Sequence, residues 1–365
     1  MMKFRCERDA LTEAIGVAGR AVGSSSGSVG LSGIQATLEG DRLELTGSDL
    51  DLTISAQLQV SGQDDGRVVI PAKLAESIVK SLPAGAVSCA AEDDEMVISA
   101  GRSEFSIRLI SSNEFPSLPE ADEQFIELPA NELVDAFGQV VTAASTDDSR
   151  PVLTGVFASA ESDGLRIVAT DSYRLAMRDI AGAAQVLSEG SSVLIPGRAL
   201  SELNRLLKRG DSVRLHFGER DARFEVPGAR LSTRLLEGQF PNYRGLIPDH
   251  HPNVLTVERA SLLDALKRVS LLARDNTPVR LQMSAEGLQL AAIAQDVGSA
   301  QEQVEASYDG TELTIAFNPQ FLREGLEVAP GDTVTLNTID ELKPALLRSP
   351  VTEDFLYLLM PVRVS

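Results

Sequence analysis

Two stretches of this chain are near copies of each other. LSGIQATLEGDRLELTGSDLDLTI begins at Leu31 and LTGVFASAESDGLRIVATDSYRLA begins at Leu153; a weaker third copy, VRLQMSAEGLQLAAI, begins at Val279. The downstream halves repeat as well. Val69–Pro71 (VIP), Leu194–Pro196 (LIP) and Phe317-Asn318-Pro319 each open a helical pattern, and Phe115-Pro116 returns as Phe240-Pro241. Pro71 and Pro196 stand 125 residues apart, as do Pro116 and Pro241. Solenoid units repeat every roughly 20–50 residues, so a period of this size is a whole domain. The chain therefore reads as three similar domains, 1–121, 122–249 and 250–365.

Each domain reads as α+β, with two helices plus antiparallel sheets. In the second copy, apolar residues alternate along Val152–Ser159, Leu165–Thr170 and Tyr173–Asp179, which predicts three strands. Asp163-Gly164 marks the first turn and Asp171-Ser172 the second. Six amphipathic helices are expected. Their apolar faces include Leu11, Ala14, Ile15, Ala18 and Val22; Leu74, Ile78, Val79 and Leu82; Leu133, Phe137 and Val140; Leu200, Leu203 and Leu207; Leu262, Leu266 and Val269; and Phe321, Leu322 and Leu326. Linkers are expected at Ser117–Gln124 and Ile247–Asn253, both carrying proline and polar residues.

Charge separates along the chain. The net charge is −20, which taken whole disfavours nucleic acid. The six helical segments, however, sum to +3, so the remainder carries −23. If the helices share one surface, it is mildly basic within an acidic molecule. Trp is absent and aromatics are 4% of residues, so a base-stacking platform is not expected. No apolar run reaches the roughly 18 residues of a membrane span, and MMKFRCERDA does not read as a signal peptide. Two cysteines, Cys6 and Cys89, suit a reducing cytoplasm.

Catalysis is not expected. The three histidines are His216, in a strand pattern, and His250-His251, in a linker, without metal-ligand spacing. Asp49 and Asp51 alternate on a strand and read as solvated. No catalytic residue, metal site or cofactor is expected.

RPVLTGV (Arg150–Val156), ATDSYRLA (Ala169–Ala176), EGQFPNYRGLIP (Glu237–Pro248), NTPVRL (Asn276–Leu281), AFNPQFL (Ala316–Leu322) and YLLMPVRV (Tyr357–Val364) occur in this order. Together with the triple repeat they resemble the bacterial DNA polymerase III beta subunit family, the sliding clamps, over the whole chain. The resemblance implies a head-to-tail homodimer of six domains, a closed ring whose helices line the hole. It implies a non-catalytic processivity factor that encircles duplex DNA without reading sequence. Replicative polymerase, clamp loader and repair proteins would be tethered through short linear peptides. Channel cations would be Arg20, Lys73, Lys80, Arg150, Arg198, Arg205, Lys208, Lys267 and Arg323. The dimer interface would set Phe105 and Ile107 against Leu271 and Leu272, with Lys73 and Arg102 reaching Glu302 or Glu305. The partner-peptide pocket, between the second and third domains, would use Leu153, Thr170, Ser172, Tyr173, Arg174, Leu175, Pro241, Leu246, Pro344, Leu358, Met360, Pro361, Val362 and Arg363. In it Leu175, Leu358, Met360 and Val362 form an adaptable apolar cleft, and Arg174 and Arg363 its polar rim.

Some positions depart from the family pattern. Gly19–Gly33 is rich in glycine and serine where relatives carry a proline-containing stretch. No Lys-Ser/Thr follows, which excludes a Walker A loop, and a flexible loop is expected. Tyr173 stands where many relatives have histidine, and Gly245 where some have arginine. A rival expectation is a clamp-fold second copy that keeps the pocket but is not the primary replicative clamp.

Overall fold

The computed structural model describes residues 1–23, 29–111, 115, 125–183, 186–248, 250–273, 277–294 and 297–363. The expected linker at Ser117–Gln124 and most of the Gly/Ser-rich loop lie outside the described residues.

All six helical patterns form helices: α1 Arg8–Ala18, α2 Ala72–Ser81, α3 Ala130–Val141, α4 Gly197–Leu207, α5 Arg259–Val269 and α6 Pro319–Val328. Local chemistry sets several starts. Asn318 caps α6 by accepting from Gln320 N (2.9 Å) and Phe321 N (3.3 Å), and Pro319 follows where a missing N–H costs nothing. Glu258 caps α5 by accepting from Ser261 N at 3.1 Å. One apolar assignment fails: Leu74 is 49% exposed, because α2 buries Ala72, Ala75, Ile78 and Val79 and Leu74 points off that face.

The chain divides into two compact units, Met1–Asn131 with Arg205–Leu235, and Glu132–Asn204 with Leu236–Ser365. The first holds two antiparallel sheets. One has the order Ser61–Asp64, Met2–Glu7, Ala86–Glu92, Glu95–Ala100, Ser103–Arg108. The other runs Ile126–Pro129, Ser212–Phe217, Asp221–Val226, Ala229–Arg234, Leu52–Gln59, Arg42–Ser48, Gly33–Glu39, Gly66–Pro71. The second unit has a nine-stranded sheet, ordered Ser192–Pro196, Gly155–Glu161, Gly164–Thr170, Arg174–Ala181, Thr352–Leu359, Ala345–Ser349, Thr333–Thr338, Asn253–Glu258, Ala306–Asp309. Its four-stranded sheet runs Gly298–Val304, Gly287–Ala294, Val279–Ser284, Leu313–Phe317.

Three repeats share two units because the sheets run across repeats. Leu52–Gln59 of the first repeat pairs with Ala229–Arg234 of the second, in the register Ile54↔Leu231. The equivalent strand of the second repeat, Arg174–Ala181, pairs with Thr352–Leu359 of the third, in the register Ala176↔Tyr357. Each junction is thus a continuous ladder of main-chain hydrogen bonds.

The expected strand boundaries shift at two places. Pro151–Thr154 is a 3-10 turn, closed by Thr154 Oγ1 donating to Pro151 O (2.8 Å), so the strand begins at Gly155. Tyr173 precedes its strand because its N–H donates to Asp171 Oδ1 rather than to a ladder. Behind the nine-stranded sheet, α6 comes so close that a Cβ on Gly325 would lie 2.6 Å from the Tyr357 ring.

Candidate functional site

The site grows out of the turn between Gly164–Thr170 and Arg174–Ala181. Asp171 Oδ1 accepts from Tyr173 N (2.9 Å) and Arg174 N (3.0 Å). Thr170 Oγ1 donates to Arg174 O (2.7 Å) and accepts from Ser172 N (3.2 Å). These bonds hold Ser172 at φ +81°, a left-handed conformation that costs a residue bearing a Cβ.

Arg174 locks the turn from beneath. Its Nε donates to Asp171 Oδ2 (2.9 Å), and its Nη1 donates to Tyr357 Oη (3.1 Å) and to Glu324 Oε2. The Phe321 ring lies 4.4 Å from its guanidinium carbon, and Tyr173 stacks on Phe321 at 6.3 Å. Its side chain is only 8% exposed. Arg174 is therefore not a rim residue, contrary to the sequence-based expectation; the short turn points it into the interior. Burial opposes its charge, but the Tyr357 hydroxyl and Glu324 outweigh burial and hold its pKa above the ordinary value. Burial pushes the Tyr357 phenol up, with Arg174 working against it.

The other face of these strands carries the cleft. Leu175 faces Leu358 across the ladder, and Leu358 faces Leu346. With Val168, Leu356 and Tyr243 they form one apolar cluster. Leu175, Leu358 and Thr170 are buried, so they make a floor rather than open walls. The exposed apolar groups stand around it: Tyr173 at 60%, Leu246 at 48% and Met360 at 39%. Met360 N donates to Tyr173 O (2.8 Å), which ties the main chains of these two residues together. Leu246 closes a 3-10 turn onto Tyr243 O (2.9 Å).

The remaining predicted residues spread more widely. Leu153 is buried in the 3-10 turn leading to Gly155, and Ser172 is exposed. Pro344 is half-buried, one residue before Ala345, which faces Leu359. Pro361 is half-buried, Val362 N turns to Ala316 O (2.8 Å), and Arg363 is exposed. Pro241 lines a neighbouring cavity. Arg150, one of the expected channel cations, stands at the cleft's edge: Nη1 donates to Ser172 Oγ (3.3 Å) and Nε pairs with Asp147 (3.1 Å). Hydrogen bonds from Ser149, then Arg150, hold the Asp147 carboxyl below the usual range.

The first repeat builds the same turn with a different surface. Asp49 Oδ1 accepts from Asp51 N (3.1 Å) and Leu52 N (2.8 Å), Leu50 N donates to Ser48 Oγ (3.2 Å), and Leu50 has φ +81°. Arg234 N donates to Asp51 O (2.9 Å), the counterpart of Met360 N to Tyr173 O. Yet the facing pair is Thr53 and Ser232, where the second junction has Leu175 and Leu358. Arg234 stands for Met360 and pairs with Asp51 at 3.8 Å. One backbone thus gives a polar floor at one junction and an apolar cleft at the other.

All nine predicted channel cations are exposed. Acidic partners on the same helix include Glu76 for Lys80 (2.6 Å), Asp264 for Lys267 (3.5 Å) and Glu327 for Arg323 (3.7 Å). Of the predicted interface residues, Phe105 is 38% exposed and Leu271 74%, Leu272 is half-buried, and Ile107, at 4%, packs within its own unit. Glu302 already has a partner, since Arg268 Nη2 lies 2.5 Å from Oε1 and lowers its pKa by hydrogen bonding. Lys73 and Arg102 are left with exposed Glu305 as the candidate of that pair.

No cluster of three or more metal-ligating side chains occurs among the described residues. Gly23–Gly27 spells G-x-S-x-G, but a nucleophile elbow needs a strand before it and a helix after it. Here 3-10 turns flank the stretch, at Gly19–Ala21 and Val29–Ser32. No described helix is long and apolar enough to cross a membrane.

Sequence reasoning missed the supports of the cleft. Asp171 was legible as a turn residue, but Asp49 and Asp51, expected on a strand, lie in the equivalent turn because Asp49 caps the N–H groups of Asp51 and Leu52. Phe321, Glu324 and Tyr357 approach from remote segments and carry no local signal.

Comparisons with known proteins agree with this architecture. Residues 2–119, 127–242 and 244–363 match the N-terminal, central and C-terminal domains of the DNA polymerase III beta subunit. The chain is 33% identical to the beta sliding clamp of Streptomyces coelicolor and 33% to that of Synechococcus elongatus, covering 100% of both chains in each case. It superposes on the DNA polymerase sliding clamp of Bacillus subtilis with a TM-score of 0.91 at 30% identity, covering 100% of both chains. A Bartonella birtlesii sliding clamp bound to griselimycin gives 0.92 at 29% identity, again with 100% of both chains covered. With three tandem clamp domains matched from end to end, this chain belongs to the DNA polymerase III beta subunit family of sliding clamps.

Proposed function

We propose that this chain, a sliding clamp of DNA replication, closes head to tail with a second copy into a ring around duplex DNA. Partners are tethered by short peptides seated over Leu175, Leu358 and Met360. The observation that carries the ring is an unfinished pattern of strand pairing. Two junctions within the chain use the same pair of strands. The third such pair is present but unjoined: Ser103–Arg108 and Gly298–Val304 each lie outermost in their sheets. Long unpaired edges are liabilities. Two copies complete two more junctions, and a heterologous contact that closes leaves neither of these two edges open. Phe105 sits on one of these strands and Glu302 on the other.

Duplex DNA in such a ring is met by exposed helix cations that contact phosphates without reading bases. Their ion pairs are exposed and weak, so phosphates compete for them easily. The acidic remainder discourages binding elsewhere. Retention follows from topology, which leaves the ring free to slide. The rival second-copy reading gains no support from the matched relatives, which are named as beta sliding clamps.

Two measurements test this. Light scattering across a dilution series should give about twice 39.0 kDa; a monomer at micromolar concentration refutes the ring. Met360→Asp places a carboxylate beside the apolar floor. Losing one buried apolar anchor costs about 1.5–3 kcal/mol, so a fluorescent clamp-binding peptide should bind at least ~10-fold more weakly. Unchanged affinity refutes the cleft.

A further inference from the structure

The segment Phe240–Ile247 packs against one face of the nine-stranded sheet, over Val168, Leu175 and Leu358, and the cleft occupies one side of it. On the other side is a cavity of about 320 Å³. That lies at the lower end of the ~300–1,000 Å³ typical of ligand sites, so it suits a fragment-sized ligand. Phe157 and Phe240 stack at 5.1 Å with rings 12° apart, and Tyr243 stands 6.3 Å from each. Ser159, Ser191 and Ser192 also line it, with Ser159 Oγ donating to Glu161 Oε1 (3.2 Å). At the rim Arg244 Nη2 pairs with Glu161 Oε1 at 2.7 Å, so the two charges cancel and favour neither ion.

Two further observations point to a ligand. Tyr243 is 5% exposed, and its Oη has no hydrogen-bond partner among the described residues. A buried hydroxyl left unpaired costs about 1–3 kcal/mol, and an incoming hydrogen-bonding group recovers that. The second is the sheet edge. Ala160 N donates to Ser191 O (3.1 Å), so ladder alternation turns the N–H and C=O of Ser192 away from the sheet. Farther along the same edge Leu194 O already accepts from Leu236 N (2.8 Å).

We propose that this cavity is a second binding site for an uncharged aromatic amide, such as an aromatic residue within an extended peptide. Its ring packs against Phe157 and Phe240, a carbonyl accepts from Tyr243 Oη, and its amide meets Ser192 at the edge. Tyr243 also belongs to the cluster under Leu175 and Leu358. Occupancy therefore alters peptide affinity at the cleft, a consequence that rests on the cleft reading above.

The test titrates N-acetyl-tryptophanamide into the full-length protein by ligand-observed NMR. Wild type should bind with millimolar or better affinity. Tyr243→Phe keeps the ring and should weaken binding about 5-fold, the worth of one hydrogen bond of ~1 kcal/mol. Ser159→Leu fills the cavity and should abolish binding. Met360→Asp, confined to the cleft, should leave the probe bound even if it destroys peptide affinity. No binding at 5-fold above ~1 mM probe, binding that survives Ser159→Leu, or binding lost with Met360→Asp each overturns the second site.

Discussion

Replacing Arg174 by methionine should damage the site from beneath. The side chains of Arg174, Asp171 and Glu324 are 8%, 12% and 19% exposed, so their charges are largely cut off from water. Removing the guanidinium leaves two neighbouring carboxylates unpaired and the Tyr357 hydroxyl short of a partner. Breaking a buried pair in this way costs roughly 3–5 kcal/mol. The cation over Phe321 adds up to about 2 kcal/mol where desolvated, but that overlaps the same loss and is not added. At 1.4 kcal/mol per tenfold, local opening should rise by about 100- to 4,000-fold. Hydrogen exchange of the amides in Arg174–Ala181 and Thr352–Leu359 reads this directly, because it reports opening of those two strands rather than global unfolding. The triple replacement Arg174→Met, Asp171→Asn, Glu324→Gln removes the stranded charges and should recover part of the protection. Wild-type exchange in Arg174→Met, or a triple variant worse than the single, refutes the account of Arg174 as an internal charged brace.

Other outcomes follow from close packing and titration. Gly325→Ala should destabilise by about 1–3 kcal/mol, since its Cβ would meet the Tyr357 ring at 2.6 Å; urea melts followed by circular dichroism measure this. His251 is held below its ordinary pKa of 6.5, first by burial, then by Arg348 and His250. The unfolded chain therefore binds more protons around and below pH 6.5, and stability should fall as pH drops through that value and into the lowered folded pKa. His251→Gln should flatten that part of the stability profile. Cys6 is buried, with its thiol pushed up to about 11 by burial and then by Glu7, and Cys89 is raised likewise by burial and Cys6. Both should resist iodoacetamide at pH 8 in the folded protein and react in urea, as mass spectrometry would show.

The sequence by itself determined the triple repeat, the six helices and the turns, because each depends on local periodicity or on a few adjacent side chains. Asp171 announced its turn, whereas Asp49, read as a solvated strand residue, makes the same one; each aspartate caps main-chain N–H groups two and three residues ahead. Only the family resemblance of Tyr357–Val364, and not its apolar pattern, pointed to the cleft's segment. Which side of a strand a residue faces, and what then covers it, depended on partners far away in the chain. Arg174 looked like a rim residue until Glu324 and Tyr357 closed over it. Ile107 looked available until its own unit buried it, and the contact of Arg150 with Ser172 carried no signal in the sequence. The edges Ser103–Arg108 and Gly298–Val304 acquired their meaning only from the two completed junctions. Periodicity is written residue by residue, whereas pairing register and burial arise when remote segments meet, and only the tertiary structure decided those.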